Sequence, residues 1–189
     1  MNISLSWNLF VIAIFVVIIA YSYIIGLNRT VKTILSAYLA ILAADGLGNV
    51  FYSYFIESEN FRKALELLNI TNLDESLIST KVVIFVAVVV ILTVRGAFEV
   101  DFNNHNFGAN NLVVTGIFGF LNAGLIVSTL LVYVSGMSFV QKVTVESNIV
   151  DLYASSTFIK AMVDYYNLWF SVPVVVLIVW SLLFNNSTD

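Results

Sequence analysis

The sequence predicts an all-α, polytopic membrane helix bundle with about five apolar helices and amphipathic helices at its surface, on three observations. Of its 189 residues, 60% are apolar and 11% charged, whereas a soluble domain carries roughly 25% charged residues. Several apolar stretches reach the roughly 20 residues that a helix rising about 1.5 Å per residue needs to cross about 30 Å of hydrocarbon. No linker rich in Pro, Gly or Ser and no long-period repeat divides the chain, so residues 1–189 read as a single integral membrane domain.

The first span extends from Trp7 to Leu27. It has no basic residue ahead of it and a long apolar run, so it reads as a retained span and not as a secretion signal. It closes at Asn28-Arg29-Thr30-Val31-Lys32. The two basic residues there place this end in the cytoplasm and the N-terminus outside.

A second helix is expected from about Thr33 to Phe55. Ser36, Ala40, Ala44 and Gly48 recur every four residues, which aligns four small side chains on one face where another backbone can approach closely. Asp45, Gly46 and Gly48 interrupt its middle. That leaves two courses: a full crossing, or a re-entrant helix that turns back where protein shields it.

Glu57 to Ser76 is polar, yet Phe61, Ala64, Leu65 and Leu68 fall on one helical face, as in an amphipathic helix lying along the outer surface. The third span, Leu77 to Val94, is rich in Val and Ile but too long for a strand. Lys81 near its start is expected to extend its stem toward the headgroups, and Arg95 closes the cytoplasmic end.

After a polar loop from Gly96 to Asn111 comes a fourth span, Leu112 to Val134, with Gly116, Gly119, Ala123 and Gly124 as a second small-residue face. Lys142 to Tyr166 places Leu152, Phe158, Ile159, Met162 and Tyr166 at intervals of a second surface-lying helix. The last span, Leu168 to Phe184, is bracketed by Trp169 and Trp180, residues suited to the headgroup zone. Pro173 lies early in it, where a missing backbone donor costs least.

The chemistry-bearing residues are few. There is no cysteine, which excludes disulfides, thiolate metal sites and a cysteine nucleophile. A net charge of −4 with eight scattered Lys and Arg residues provides no basic stripe for nucleic acid. His105, the sole histidine, has only Asp101 beside it, short of the three or four groups that a metal needs. No phosphate loop, nucleophile elbow or helical metal-binding pair occurs, and no cofactor is expected.

Asp45 is the one carboxylate inside a span, and an ionisable group at that depth is a functional candidate. It has two readings: it accepts a proton or meets a cation in a hydrated groove, with Asn49 one turn along; or it reaches an interface or caps a helix broken at Gly46. Asn122 either bonds to a neighbouring helix, a gain of about 1 kcal/mol in a bilayer, or lines a polar path.

Gly26-Leu-Asn-Arg29, the small-residue second helix, the third span, and Gly116-Ile-Phe-Gly119-Phe-Leu-Asn-Ala-Gly124-Leu-Ile together resemble the colicin V production (CvpA) family over about residues 8–134. A fainter echo runs from Ser155 to Tyr166. Where the family carries an Asp-Arg pair this chain has Asn110 and Asn111, and Asn122 stands near the family's basic residue. The final span also exceeds the family's four-span plan. The resemblance implies a bacterial inner-membrane protein linked to toxin production or export and to envelope homeostasis, without established catalytic chemistry.

The expectation is therefore a non-enzymatic accessory or scaffold in the bilayer, packed through small faces and assembled with copies of itself or with a membrane-protein partner. The alternative is a small oligomeric transporter or channel that uses the interrupted second helix and Asp45.

Overall fold

In the computed structural model of the protein, the described residues are 7–56, 58, 59, 63, 73–100, 110–136 and 156–184. Phe61, Ala64, Leu65 and Leu68 of the expected outer surface helix, the Asp101 and His105 loop, and Leu152 lie outside them.

The first turn of the chain is sharper than its sequence suggests. Helix α1 (Trp7–Ile25) and helix α2 (Leu27–Phe51) are separated by Gly26 alone, so α2 begins well before the expected Thr33. Gly26 has φ 79 and ψ 174, a backbone region essentially confined to glycine. The Thr30 hydroxyl donates to the carbonyls of both Gly26 (2.8 Å) and Ser22 (3.2 Å). Residues eight apart touch in this way only if the chain doubles back, and the bond pins the two helices at their shared end.

Helix α2 is not interrupted. It continues through Asp45, Gly46 and Gly48 to Phe51 and runs into a π-helical turn, Tyr52–Ile56. Of the two courses left open, α2 follows the unbroken one and not the re-entrant one. A mid-helix glycine costs only about 1 kcal/mol, and packing along both flanks of α2 outweighs it. The bend in the bundle lies elsewhere, between α5 (Thr157–Asp164) and α6 (Tyr166–Phe184), which meet at 62° around Tyr165.

With α3 (Leu73–Arg95) and α4 (Asn110–Val134), six α-helices stand among the described residues. Four of them, α1 to α4, are long and apolar enough to cross a membrane, and the bent α5–α6 pair makes five if counted as one span. The molecule is an all-α polytopic membrane helix bundle.

Helices α2 and α4 form its centre. α2 packs most extensively on α3, and α4 packs on α1, α2 and α6, whereas α1 and α3 scarcely meet. Val31, Ile34, Ile41, Phe85, Phe118 and Tyr133 join α2, α3 and α4 in one buried cluster. Val11, Phe15, Ala123, Val127, Ile159 and Met162 join α1, α4 and α5 in another. Ile159, Met162 and Val163 of α5 are buried, so the described part of the expected second surface helix is docked into the bundle. Its cap explains the docking: Ser156 accepts from the Ile159 N–H at 3.2 Å while its hydroxyl contacts Asn8 Oδ1 at 2.7 Å, tying α5 to the start of α1.

Outward faces stay apolar, with Ile24 81% and Val94 71% exposed. Large apolar faces of this kind suit acyl chains and not water. Facing inward, Ser22, Thr30, Thr33 and Ser36 each donate to the carbonyl four residues back, which satisfies their hydroxyls within the helix.

Candidate functional site

The most polar point in the core is made by two helices. Asp45 of α2 is fully buried and accepts from Lys81 Nζ of α3 at 3.2 Å, Lys81 itself being 4% exposed. Lys81 thus does not extend toward the headgroups as its place near the start of the span suggests. Its stem runs across Gly48, where a Cβ would stand 2.7 Å from Lys81 Cγ. Glycine leaves the channel through which the ammonium reaches the carboxylate one turn earlier on α2. Burial of either charge alone is prohibitive, whereas the pair is neutral.

Tyr133 closes the site from α4. Its hydroxyl donates to the Ile41 carbonyl at 3.2 Å, one turn before Asp45, and lies within electrostatic range of the Asp45 carboxylate. Its ring meets Phe85 edge to face at 6.0 Å. Asp45, Lys81 and Tyr133 therefore come from three helices. Asn49, expected as the polar neighbour of Asp45, is only half-buried, and Lys81 takes the place proposed for it.

Asn122 is distant from this pair. It is 1% exposed on α4 and donates through Nδ2 to Ser22 Oγ of α1 at 3.3 Å. Its Oδ1 has no hydrogen-bond partner among the described residues. The geometry is an interhelical bond beside the α1–α2 turn, and the three intramembrane polar residues named from sequence do not converge.

The small residues have separate occupants. Ser36, Ala40 and Ala44 are fully buried within α2's interfaces, and Gly48 takes the Lys81 stem. On α4, Gly116 receives the Tyr23 hydroxyl and Gly119 faces Ser22, a Cβ there standing 3.0 Å from Ser22 Cβ. Ala123 packs with Phe15 and Val127. Gly124 is overlaid by the Trp169 indole of α6. Each glycine of α4 thus receives a side chain of the opposing helix, and backbones do not simply abut.

Trp169, read as a headgroup marker, is half-buried and packs between helices. Its ring lies against Phe15 (6.4 Å) of α1 and Phe120 (5.5 Å) of α4. The reading of Pro173 is corrected: α6 starts at Tyr166, so Pro173 lies in its interior and leaves a gap in the backbone ladder. The carbonyl that loses its donor is that of Trp169, and Tyr38 of α2 bonds at the next residue. Its hydroxyl donates to the Phe170 carbonyl at 2.5 Å and faces the Val174 N–H, with the two rings edge to face at 5.1 Å.

Lys81 and Tyr133 were missed as partners of Asp45. A signal for Lys81 existed, since a single lysine within an apolar span requires a buried carboxylate or a path to water. Nothing in the sequence marks Tyr133. Among the described residues no group of three or more His, Cys, Asp or Glu side chains converges. Neither a protein-family model, nor a curated protein, nor a solved structure matches this chain.

Proposed function

We propose that the protein is a non-enzymatic accessory or scaffold component of a membrane assembly, in the bacterial inner membrane and linked to toxin production or export and envelope homeostasis, as the resemblance to colicin V production proteins implies. The observation that carries this reading is the Asp45–Lys81 pair: the membrane-embedded carboxylate is fully buried, bound by an ammonium and locked between packed helices. Such a group serves as a pin between α2 and α3. A pathway for ions needs a carboxylate that meets water, so the transporter alternative has less support.

Purification of the full chain from native membranes in mild detergent tests the proposal. The expected result is co-purification of a membrane-protein partner or a stable homo-oligomer. A monomer without partners that conducts ions when reconstituted into liposomes, and loses conductance in Asp45→Asn, would replace the scaffold reading by the transporter.

The proposed orientation has its own test. The chain lacks cysteine, so single cysteines at Arg29 and Phe98 are expected to label from the cytoplasmic side and one at Asn8 from outside. The opposite labelling overturns the orientation but not the bundle.

A further inference from the structure

At the end of the bundle that carries the α1–α2 turn, a crevice of about 460 Å³ opens between α1 and α3 over the first turns of α2. Its charged lining is mainly cationic. Arg29 and Lys32 line it beside Asn28, against one carboxylate, Glu99. Lys32 Nζ donates to the Gly96 carbonyl at 2.8 Å and lies 5.2 Å from the centre of the Phe98 ring, which holds the charge at the crevice wall. Among the described residues no carboxylate lies within 4.0 Å of Arg29 or Lys32. The hydroxyl of Thr93, another lining residue, is buried and has no hydrogen-bond partner among the described residues.

Much of the remaining lining is oily. Ile25, Val94 and Val100 contribute to it, next to the exposed apolar faces of α1 and α3. Tyr21, half-exposed on α1, adds an amphipathic ring to the same lining.

We propose that this crevice binds an anionic phospholipid. The phosphate sits against Arg29, Lys32 and the start of α2, and one acyl chain lies along the exposed apolar faces of α1 and α3. Cationic charge alone would suit any anion. The continuity of a basic, polar end with an apolar wall matches an amphiphile whose phosphate and chain are joined, and basic pockets between spanning helices recognise such headgroups. This inference does not depend on the scaffold proposal, because a transporter of the same fold would carry the same crevice.

The test uses the full chain in detergent and in nanodiscs, with phosphatidylglycerol, phosphatidylcholine and inorganic phosphate as separate probes, read by native mass spectrometry and thermal melting. Phosphatidylglycerol is expected to bind tightest and to raise the melting temperature. Arg29→Gln, at an exposed position, is expected to weaken it about five-fold, since a cation near the surface contributes roughly that factor, while the lipid-free melting temperature stays unchanged. Lys160→Gln, an exposed cation on α5, serves as the control and is expected to leave binding intact. Lys32→Gln is expected to act like Arg29→Gln unless loss of the Gly96 bond unfolds it, in which case Arg29→Gln decides alone. Equal retention of phosphatidylglycerol and phosphatidylcholine, or equal effects of Arg29→Gln and Lys160→Gln, overturns the site. Displacement of the lipid by millimolar inorganic phosphate overturns its assignment to lipid and leaves a free-anion site.

Discussion

Lys81 reaches Asp45 across the bare backbone of Gly48, with the position of a Cβ only 2.7 Å from Lys81 Cγ and 3.2 Å from Cε. The ion pair and the glycine are therefore one device. Gly48→Ala should displace the lysine stem and lengthen or break the 3.2 Å contact with Asp45. The expected loss is about 1–3 kcal/mol, the range for overpacking a filled core, and larger for Gly48→Val. Thermal unfolding in detergent measures it, and an Ala variant as stable as the parent would contradict the close approach.

The two partners of the pair should fail singly and recover together. Asp45→Asn strands the Lys81 ammonium and Lys81→Met strands the Asp45 carboxylate, each at an expected cost of about 3–5 kcal/mol, as when a buried pair loses one member. Asp45→Asn with Lys81→Met leaves no buried charge and should be more stable than either single variant. A double-mutant cycle reads the coupling. Additive losses would mean that the two groups do not form a pair.

Tyr38 bonds α6 beside Pro173. Because its hydroxyl serves the Phe170 carbonyl beside the proline gap, Tyr38→Phe should cost about 1 kcal/mol, near the upper end for polar contacts between helices in lipid. The loss should shrink in a Pro173→Ala background, where α6 can complete its own ladder. An equal loss in both backgrounds would separate the tyrosine from the proline.

Gly124 and Trp169 form a second coupled pair. The indole lies so close over Gly124 that even Ala must push it away from Phe15 and Phe120. Gly124→Ala is expected to destabilise by about 1–3 kcal/mol and to shift the tryptophan fluorescence. Trp169→Leu should remove most of the penalty of Gly124→Ala. Unaltered fluorescence in Gly124→Ala would show that the ring does not rest there.

Gly26 makes the α1–α2 hairpin with one residue. At φ 79 and ψ 174 a Cβ is strained whatever the surrounding space, so Gly26→Ala should cost about 1–3 kcal/mol. Nothing stands within 4 Å of the added carbon, which makes the backbone the sole source of the loss. Gly46, equally unencumbered but inside α2, provides the contrast: Gly46→Ala should be neutral or stabilising by up to about 1 kcal/mol. Equal effects at both positions, read by unfolding, would exclude backbone strain as the cause.

How far the sequence carries depends on the range of the interaction. The helices of α1, α3 and α4 are legible because hydrocarbon thickness dictates their length and lipid requires each to close its own backbone hydrogen bonds. The reading of α2 stumbled at Asp45-Gly46-Gly48, where local propensity points to a break and the packed neighbours α3 and α4 do not allow one. The Pro173 reading differs for a related reason: it takes the span to start at Leu168, whereas the α5–α6 bend begins it at Tyr166.

By itself, the sequence determined that this chain is a helical membrane bundle, that it has no thiol chemistry, and that Asp45 is the carboxylate to watch, because composition, span length and the cost of a charge in lipid are properties of residues taken one stretch at a time. Tertiary structure alone decided that Lys81 neutralises Asp45, that Asn122 serves a different helix pair, and that Gly48 and each glycine of α4 receive a particular side chain. Those outcomes join residues dozens of positions apart, and only the rotation and depth at which packed helices meet determine which side chains face each other.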